Sequence, residues 1–232
     1  MKAYSIVLSG RWGHFRRPEA NNNPITYDFI PKTAFIGLIA AVVGMKRDTL
    51  KKKYEKLCNS IFYNVEILNP IAKIVTNFRI YKYKGSLSSV ENPPQFYEIL
   101  QEPKYQVVFF GDNKVIELFV KNLKTEQSAY TPTFGLVNCP VNINSLEEIE
   151  IQKIRNHEVL TKGFIPFGCQ LKLKSDITIS YDSIPVVQNN NWFNVKYVKV
   201  FYGYVPEGKS FKVRRSNYEH QYISNSLGYF FI

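Results

Sequence analysis

Histidine and cysteine are scarce in this chain, with three of each among 232 residues. Cys58, Cys139 and Cys169 are odd in number and far apart, which argues against a disulfide framework or a zinc knuckle. His14, His157 and His220 are as dispersed. A metal centre would have to be assembled from distant residues, and no cofactor is expected. The sequence has no phosphate-binding Gly-Lys-Thr loop, nucleophile elbow, paired-histidine zinc helix or dinucleotide fingerprint. Long apolar runs are missing too. The longest nearly uncharged one, Ala34 to Met45, has 12 residues, short of the roughly 20 that a membrane-spanning helix needs. The N-terminal apolar stretch is too short for a secretory signal and Arg11 follows it at once, so a cytoplasmic protein without a membrane partner is expected.

What the chain has in quantity is apolar side chains, aromatic rings and positive charge. Apolar residues make up 45% and charged residues 21%, enough for a packed core in one large domain or two small ones. The net charge is +11, with 30 Lys and Arg against 19 Asp and Glu. It is unevenly placed. Residues 1–60 hold 11 basic and 4 acidic side chains, and residues 171–232 hold 8 and 4, while the segments between are close to neutral. Positive charge at both ends suits a polyanion partner, most often nucleic acid; the bland alternative is a basic protein with no such partner.

Residues 3–8 read as a strand ending at Ser9-Gly10. Residues 10–31 form a long loop punctuated by Gly10, Gly13, Pro18, three asparagines at 21–23, Pro24 and Pro31. Thr33 to Val43 is an apolar helix, with Thr33 as its cap and Gly44 as its stop. A second helix spans about 48–58, with Asp48 as a cap and Lys51, Lys52, Lys53 and Lys56 on its polar face. Residues 61–68 and 71–83 are strand-like. Residues 84–103 are turn-rich, and 105–110 resumes a strand, so 71–110 resembles a long hairpin with an extended tip. A short helix at 114–123 and a strand near 134–139 complete a β-α-β-β-α-β order. The fold class expected is therefore α+β: a ferredoxin-like (RRM-like) domain over 1–145 with a hairpin thumb at about 80–104. The remainder, 146–232, is β-rich, with strands at 147–154, 175–180, 195–202, 210–214 and 227–231.

The densest constellation is Gly10-Arg11-Trp12-Gly13-His14-Phe15-Arg16-Arg17-Pro18. Arg11, Arg16 and Arg17 can fork onto phosphates, and Trp12, His14 and Phe15 can stack on bases. Interleaved arginines and aromatics in one loop suit single-stranded RNA; equally, the rings can fold back into the core. The lysines at 51–53 are ambiguous between a polyanion contact and an ordinary solvated helix face. In Lys209-Ser210-Phe211-Lys212-Val213-Arg214-Arg215, a strand would put Lys212 and Arg214 on one side, as a phosphate track with Arg215 or as charge protecting an edge strand. Catalysis has little support. Metal-independent RNA cleavage needs a base for the 2′-hydroxyl and a cation for the developing charge, which only His14 among its arginines offers.

Three stretches carry a family resemblance: Trp12-Gly13-His14-Phe15-Arg16, then Thr26-Tyr27-Asp28-Phe29, then Pro31-Lys32-Thr33-Ala34-Phe35-Ile36-Gly37-Leu38-Ile39-Ala40-Ala41-Val42-Val43-Gly44. Over residues 3–44 the chain resembles the fifth CRISPR-associated (Cas) protein family, RAMP-superfamily subunits of the type I Cascade effector in antiviral defence, with the flavour of the type I-B lineage. The resemblance implies a subunit that holds the 5′ handle of the CRISPR RNA. Its partners would be that RNA, the adjacent backbone subunit and the large subunit, and target DNA near the protospacer-adjacent end. It also implies that the Arg11–Arg17 loop and the helix start at Lys32-Thr33 lie toward RNA. The thumb would bend the RNA, with Arg79, Lys82 and Lys84 near its base. One branch of the family cleaves precursor RNA with a tyrosine and an adjacent Lys-His pair. No Lys-His pair exists here, so a non-catalytic binding subunit is expected. The alternative is a metal-independent endoribonuclease with His14 as general base.

Overall fold

In the computed structural model of the chain, the described residues are 1–20, 23–79, 94–111, 113–155, 158–172, 177–188, 195–214, 216 and 218–232. The first half runs β1 (Lys2–Ser9), β2 (Trp12–Gly13), α1 (Lys32–Val43), α2 (Arg47–Ser60), β3 (Ile61–Ile67), β4 (Ala72–Arg79), β5 (Pro94–Gln101), β6 (Lys104–Gly111), α3 (Asn113–Lys124) and β7 (Asn142–Glu150). Among the described residues the second half is all β: β8 (Gln152–Lys153), β9 (Val159–Thr161), β10 (Ile165–Pro166), β11 (Leu171–Lys172), β12 (Ser180–Gln188), β13 (Val195–Tyr202), β14 (Phe211–Val213), β15 (Gln221–Ser224) and β16 (Leu227–Phe230). No helix among the described residues is long and apolar enough to cross a membrane.

The central sheet has the order β3-β6-β1-β7, antiparallel throughout. Strand alternation splits its side chains between two faces. Ile6, Leu8, Tyr63, Val65, Val107 and Phe109 face the main core, with Phe35, Ile39 and Phe119 of the helices. Ala3, Val108, Phe62 and Phe110 face the other way, where Tyr222 and Phe231 cover them. The C-terminus also extends the sheet: Tyr63 and Ile232 exchange both main-chain hydrogen bonds at 3.2 Å. The main core includes Ile184, Val186, Val200 and Tyr202 of the β12–β13 hairpin, which packs across α1 and α2.

Helix α1 is apolar almost all round, as a buried helix must be. Phe35, Ile36, Leu38, Ile39 and Val42 are all buried. It starts one residue earlier than expected. Pro31 occupies the N-cap position without any side-chain cap, and Thr33 lies inside the first turn. Gly44 takes the left-handed φ of 75° that ends the helix. Its N–H reaches Ala41 O, and the N–H of Met45 reaches Ala40 O at 2.9 Å. Likewise α2 begins at Arg47, so Asp48 is a first-turn residue rather than a cap.

Two strand expectations are corrected. The segment 134–139 is a tight turn, closed by Phe134 N–H to Cys139 O at 2.8 Å and Cys139 N–H to Leu136 O at 3.0 Å. The fourth strand of the sheet is β7, eight residues downstream. Second, residues 71–79 do not pair with 105–110. Strand β4 pairs with β5 from Ala72↔Gln101 to Arg79↔Pro94, while β6 enters the central sheet. The break falls at Glu102-Pro103, where Glu102 adopts φ 46°. The thumb proper thus begins with a regular two-stranded stem, and its tip, 80–93, lies outside the described residues. The 175–180 expectation falls partly on residues outside them too; Ser180 opens the long strand β12.

Candidate nucleic-acid interface

The N-terminal segment expected as a loop is stitched down along its length. Trp12 and Gly13 pair with Gln101 and Leu100 of β5. The N–H of His14 donates to Phe134 O at 2.9 Å, that of Tyr27 to Phe15 O at 2.9 Å, and that of Arg17 to Ile25 O at 2.9 Å. The Thr26 hydroxyl accepts from Phe15 N–H at 2.8 Å. Gly135 makes room for this path: with φ 87°, a Cβ there would sit 1.9 Å from His14 O. The result is a narrow hairpin bridged at Arg16↔Thr26.

Burial sorts the expected contact residues. Arg11 and Arg16 are exposed. The Arg11 guanidinium lies 5.5 Å from the Trp12 ring centre, and both line a recess of about 450 Å³ with Asn69, Gln101 and Glu102. Trp12 is half-buried and packs on the main core. Phe15 is buried edge-on against Phe134. Arg17 is turned inward. Its guanidinium grips the Asp182 carboxylate with both ends, donates to Thr26 O at 3.3 Å and covers the Tyr27 ring at 4.4 Å. This corrects the expectation of three free arginines, because the Arg17 fork is filled by a carboxylate.

His14 is 2% exposed. Its Nδ1 lies 2.8 Å from Glu98 O, and a carbonyl only accepts, so Nδ1 carries the proton. Burial pulls its pKa below the ordinary imidazole value, outweighing the Glu98 carbonyl; Arg16 pushes the same way as burial. The neutral ring leaves Nε2 as a buried acceptor without a partner. Its ring stands edge-on to Tyr97 at 5.3 Å. Beside it, a groove of about 300 Å³ opens between Arg16, Tyr27, Thr33, Tyr54, Tyr97 and Pro185. Thr33 is half-buried, and its carbonyl accepts from the Tyr54 hydroxyl.

Lys32, the first residue of α1, is buried rather than presented on the surface. The stem of the thumb carries Arg79 at its end, opposite Pro94; the side chain of Arg79, and all of Lys82 and Lys84, lie outside the described residues. In the C-terminal region Phe211 and Val213 are buried and Lys212 points the other way, as the alternation predicts. Strand β14 lies between β11 and β9, so the edge-strand reading fails. Lys212 pairs with Glu158 and Arg214 is exposed. Arg215 is outside the described residues. Lys51, Lys52, Lys53 and Lys56 are exposed.

One network was not visible in the sequence. The Lys73 ammonium lies 2.7 Å from Asp28 and 2.9 Å from Glu98, and it donates to Thr26 O at 3.2 Å. The Tyr202 hydroxyl donates to Asp28 at 2.8 Å. These contacts bind the N-terminal segment, the thumb stem and β13 into one unit. Asp28 stands within one of the stretches that carry the family resemblance, but nothing in the spacing pairs it with Lys73.

The site thus joins exposed arginines and aromatic rings on a sheet-rich α+β fold. Residues 5–197 match the family described as "CRISPR-associated protein (Cas_Cas5)". The chain belongs to that family. Among solved structures it is similar to a CRISPR protein from Archaeoglobus fulgidus, with a TM-score of 0.62 and 13% identity over 99% of this chain and 98% of that one. It is also similar to a chain of a CRISPR RNA-guided surveillance complex, with a TM-score of 0.52 and 11% identity over 97% and 91%. At such identities the likeness is one of fold alone. The search of curated proteins finds no match.

Proposed function

We propose that the chain is the subunit of a type I Cascade complex that holds the 5′ handle of the CRISPR RNA without cleaving it. The observation that carries this reading is the N-terminal segment. It is fixed on both sides by main-chain pairing, yet it turns Arg11 and Arg16 outward beside aromatic recesses at the foot of the thumb stem. Preset cations and ring faces are what sequence-tolerant capture of a flexible RNA strand requires. The non-catalytic part is supported by His14. Its only free nitrogen is an acceptor enclosed by protein, whereas a general base must reach the proton it abstracts. Family membership supports a place in a CRISPR complex; the reading adds assembly with a backbone subunit and a large subunit, contact with target DNA near the protospacer-adjacent end, and a cytoplasmic, antiviral role. In this reading the strand order β3-β6-β1-β7 is the ferredoxin-like one, and the lineage is type I-B.

The test is incubation of the purified protein with labelled precursor CRISPR RNA in EDTA. Retention of RNA carrying the 5′ handle with no new fragment is expected. Cleavage within the repeat, lost in His14→Ala, would replace this reading with the endoribonuclease.

A further inference from the structure

The recess at the foot of the thumb stem holds a negative charge, which a site built only for phosphate would exclude. Its volume is about 450 Å³, and Arg11, Trp12, Asn69, Gln101 and Glu102 are among the residues that line it. That size falls within the roughly 300–1,000 Å³ of small-ligand pockets. Glu102 is exposed, and among the described residues it enters no ion pair, although the chain carries a net charge of +11.

Glu102 is also held there against its own preference. Its φ of 46° is left-handed, a conformation that L side chains rarely adopt, and backbone outliers of this kind gather at functional sites. Both of its main-chain groups are clamped. The N–H donates to Arg11 O at 3.0 Å, and the carbonyl accepts from Asn69 Nδ2 at 2.9 Å. Gln101 beside it is paired on both sides, with Trp12 of β2 and with Ala72 of β4. The main chain thus sets a carboxylate, a carboxamide, an indole ring and a guanidinium around one recess.

A carboxylate repels phosphate and can only accept hydrogen bonds. Its two oxygens match two parallel N–H donors, as they do in an arginine fork. Of the four RNA bases, guanine alone presents two adjacent N–H groups on its Watson–Crick edge, at N1 and N2. Adenine and cytosine set one amino group beside an acceptor, and uracil sets its N–H between two carbonyls. We propose that this recess is a guanine subsite for the RNA strand. The base lies on the Trp12 ring, Glu102 accepts from N1–H and N2–H, Gln101 donates to O6, and Arg11 meets the adjoining phosphate. Asn69 is a positioning residue, acting through the Glu102 carbonyl. This rests on the RNA-holding role above and adds to it a base preference at one position of the strand.

Fluorescence anisotropy with the full chain tests the site. The probes are short labelled oligouridines carrying one central guanosine, inosine or adenosine. The wild type is expected to bind the guanosine strand roughly tenfold more tightly than the adenosine strand, with inosine, which lacks the N2 amino group, between them. Glu102→Gln should abolish the preference and bind the adenosine strand as well as wild type or better, because a negative charge is gone. Glu102→Gly should lose the preference too, yet melt at or above the wild-type temperature, since glycine takes the left-handed φ without strain. That pairing separates a base contact from a structural role. Arg11→Ala should weaken all three strands alike. Equal wild-type affinity for the three strands, or a guanosine preference that survives Glu102→Gln, would overturn the subsite and leave the RNA-holding role standing. If the wild type binds none of the strands, the RNA-holding role fails, and the subsite with it.

Discussion

Arg17 and Asp182 meet fork to fork across 165 positions of the chain, with Nη1 and Oδ1 at 3.1 Å and the second pair of atoms also in contact. The pair joins the N-terminal hairpin to β12, the strand that packs over α1 and α2. Both side chains are mostly buried, at 21% and 15% exposure. One arginine of the cluster therefore fixes the platform on which its neighbour is displayed.

Arg16 and Arg17 should consequently part company on mutation. Arg17→Ala leaves Asp182 half-buried without its partner and should cost about 1–3 kcal/mol of stability. Arg16→Ala removes an exposed charge and should stay within roughly 0.5 kcal/mol. In RNA binding, Arg16→Ala should show the direct loss. Urea melts of the two variants check the first contrast, and equal stabilities would refute it.

Stability should respond to pH on both sides of neutrality. A His14 pKa held down by burial means that the unfolded chain binds more protons below about pH 6.5. Stability then falls as pH drops through that value. His14→Asn, which can keep a donor toward Glu98 O, should flatten this limb relative to wild type. For Lys32, with its pKa near 8, the unfolded chain again holds more protons between about pH 8 and the ordinary lysine value of roughly 10.4, so stability should rise with pH across that window. Lys32→Met should lack the rise. Above about pH 10 the sign reverses, because the fully buried Tyr63 and Tyr105 resist ionisation that the unfolded chain accepts. Chemical denaturation from pH 5 to 11 reads all three limbs.

Some of this was legible in the sequence and some was not, for identifiable reasons. Helix α1 was legible because its apolar residues run unbroken to Gly44. Strands β1, β3 and β6 were legible because they alternate or run apolar. The fourth strand was misplaced because Phe134-Gly135-Leu136-Val137 looks strand-like, whereas Gly135 has φ 87° and turns the chain. The true strand, β7, overlaps the strand expected at 147–154 and was assigned to the C-terminal region; it is an outer strand whose Glu147, Glu148 and Glu150 face solvent, so it lacks the hydrophobic signal of a central strand. The N-terminal cluster was recognisable as arginines and rings. Which of them point outward was not, since that depends on partners more than 80 residues away, such as Glu98 for His14 and Asp182 for Arg17.

RNA binding should weaken steeply with salt, with a log–log slope of a few units, as phosphate contacts release counterions. Arg11→Ala and Arg16→Ala should each lower affinity and reduce the slope by about 0.7, the single-strand increment per contact. Trp12→Ala should weaken binding and also lower the melting temperature, because the ring is half-buried against the core. Anisotropy titrations between 50 mM and 300 mM salt would decide it; a slope unchanged in both arginine variants would remove the N-terminal hairpin from the RNA path.

The stem of the thumb should prove structural and its tip dispensable for folding. Every residue of β4 is paired with one of β5. Beyond that ladder, Glu98 accepts from His14 through its carbonyl and pairs with Lys73 through its carboxylate, while Ile99 and Leu100 are buried. Replacing residues 85–102 with a short Gly-Ser turn removes all of these at once. It takes Glu98 away from Lys73 and His14 and leaves the β2 edge unpaired, and should give an aggregating or unfolded product. Replacing only residues 82–91 keeps the ladder from Ala72 to Arg79 intact, and loop closure depends weakly on loop length. That shorter deletion should yield a folded chain with nearly wild-type melting behaviour, yet impaired retention of guide RNA in the assembled complex. Circular dichroism melts and RNA recovery after co-purification compare the two deletions directly. A folded product from the longer deletion would show that the stem contributes little to stability, and full RNA retention by the shorter one would show that the tip does not bend the strand.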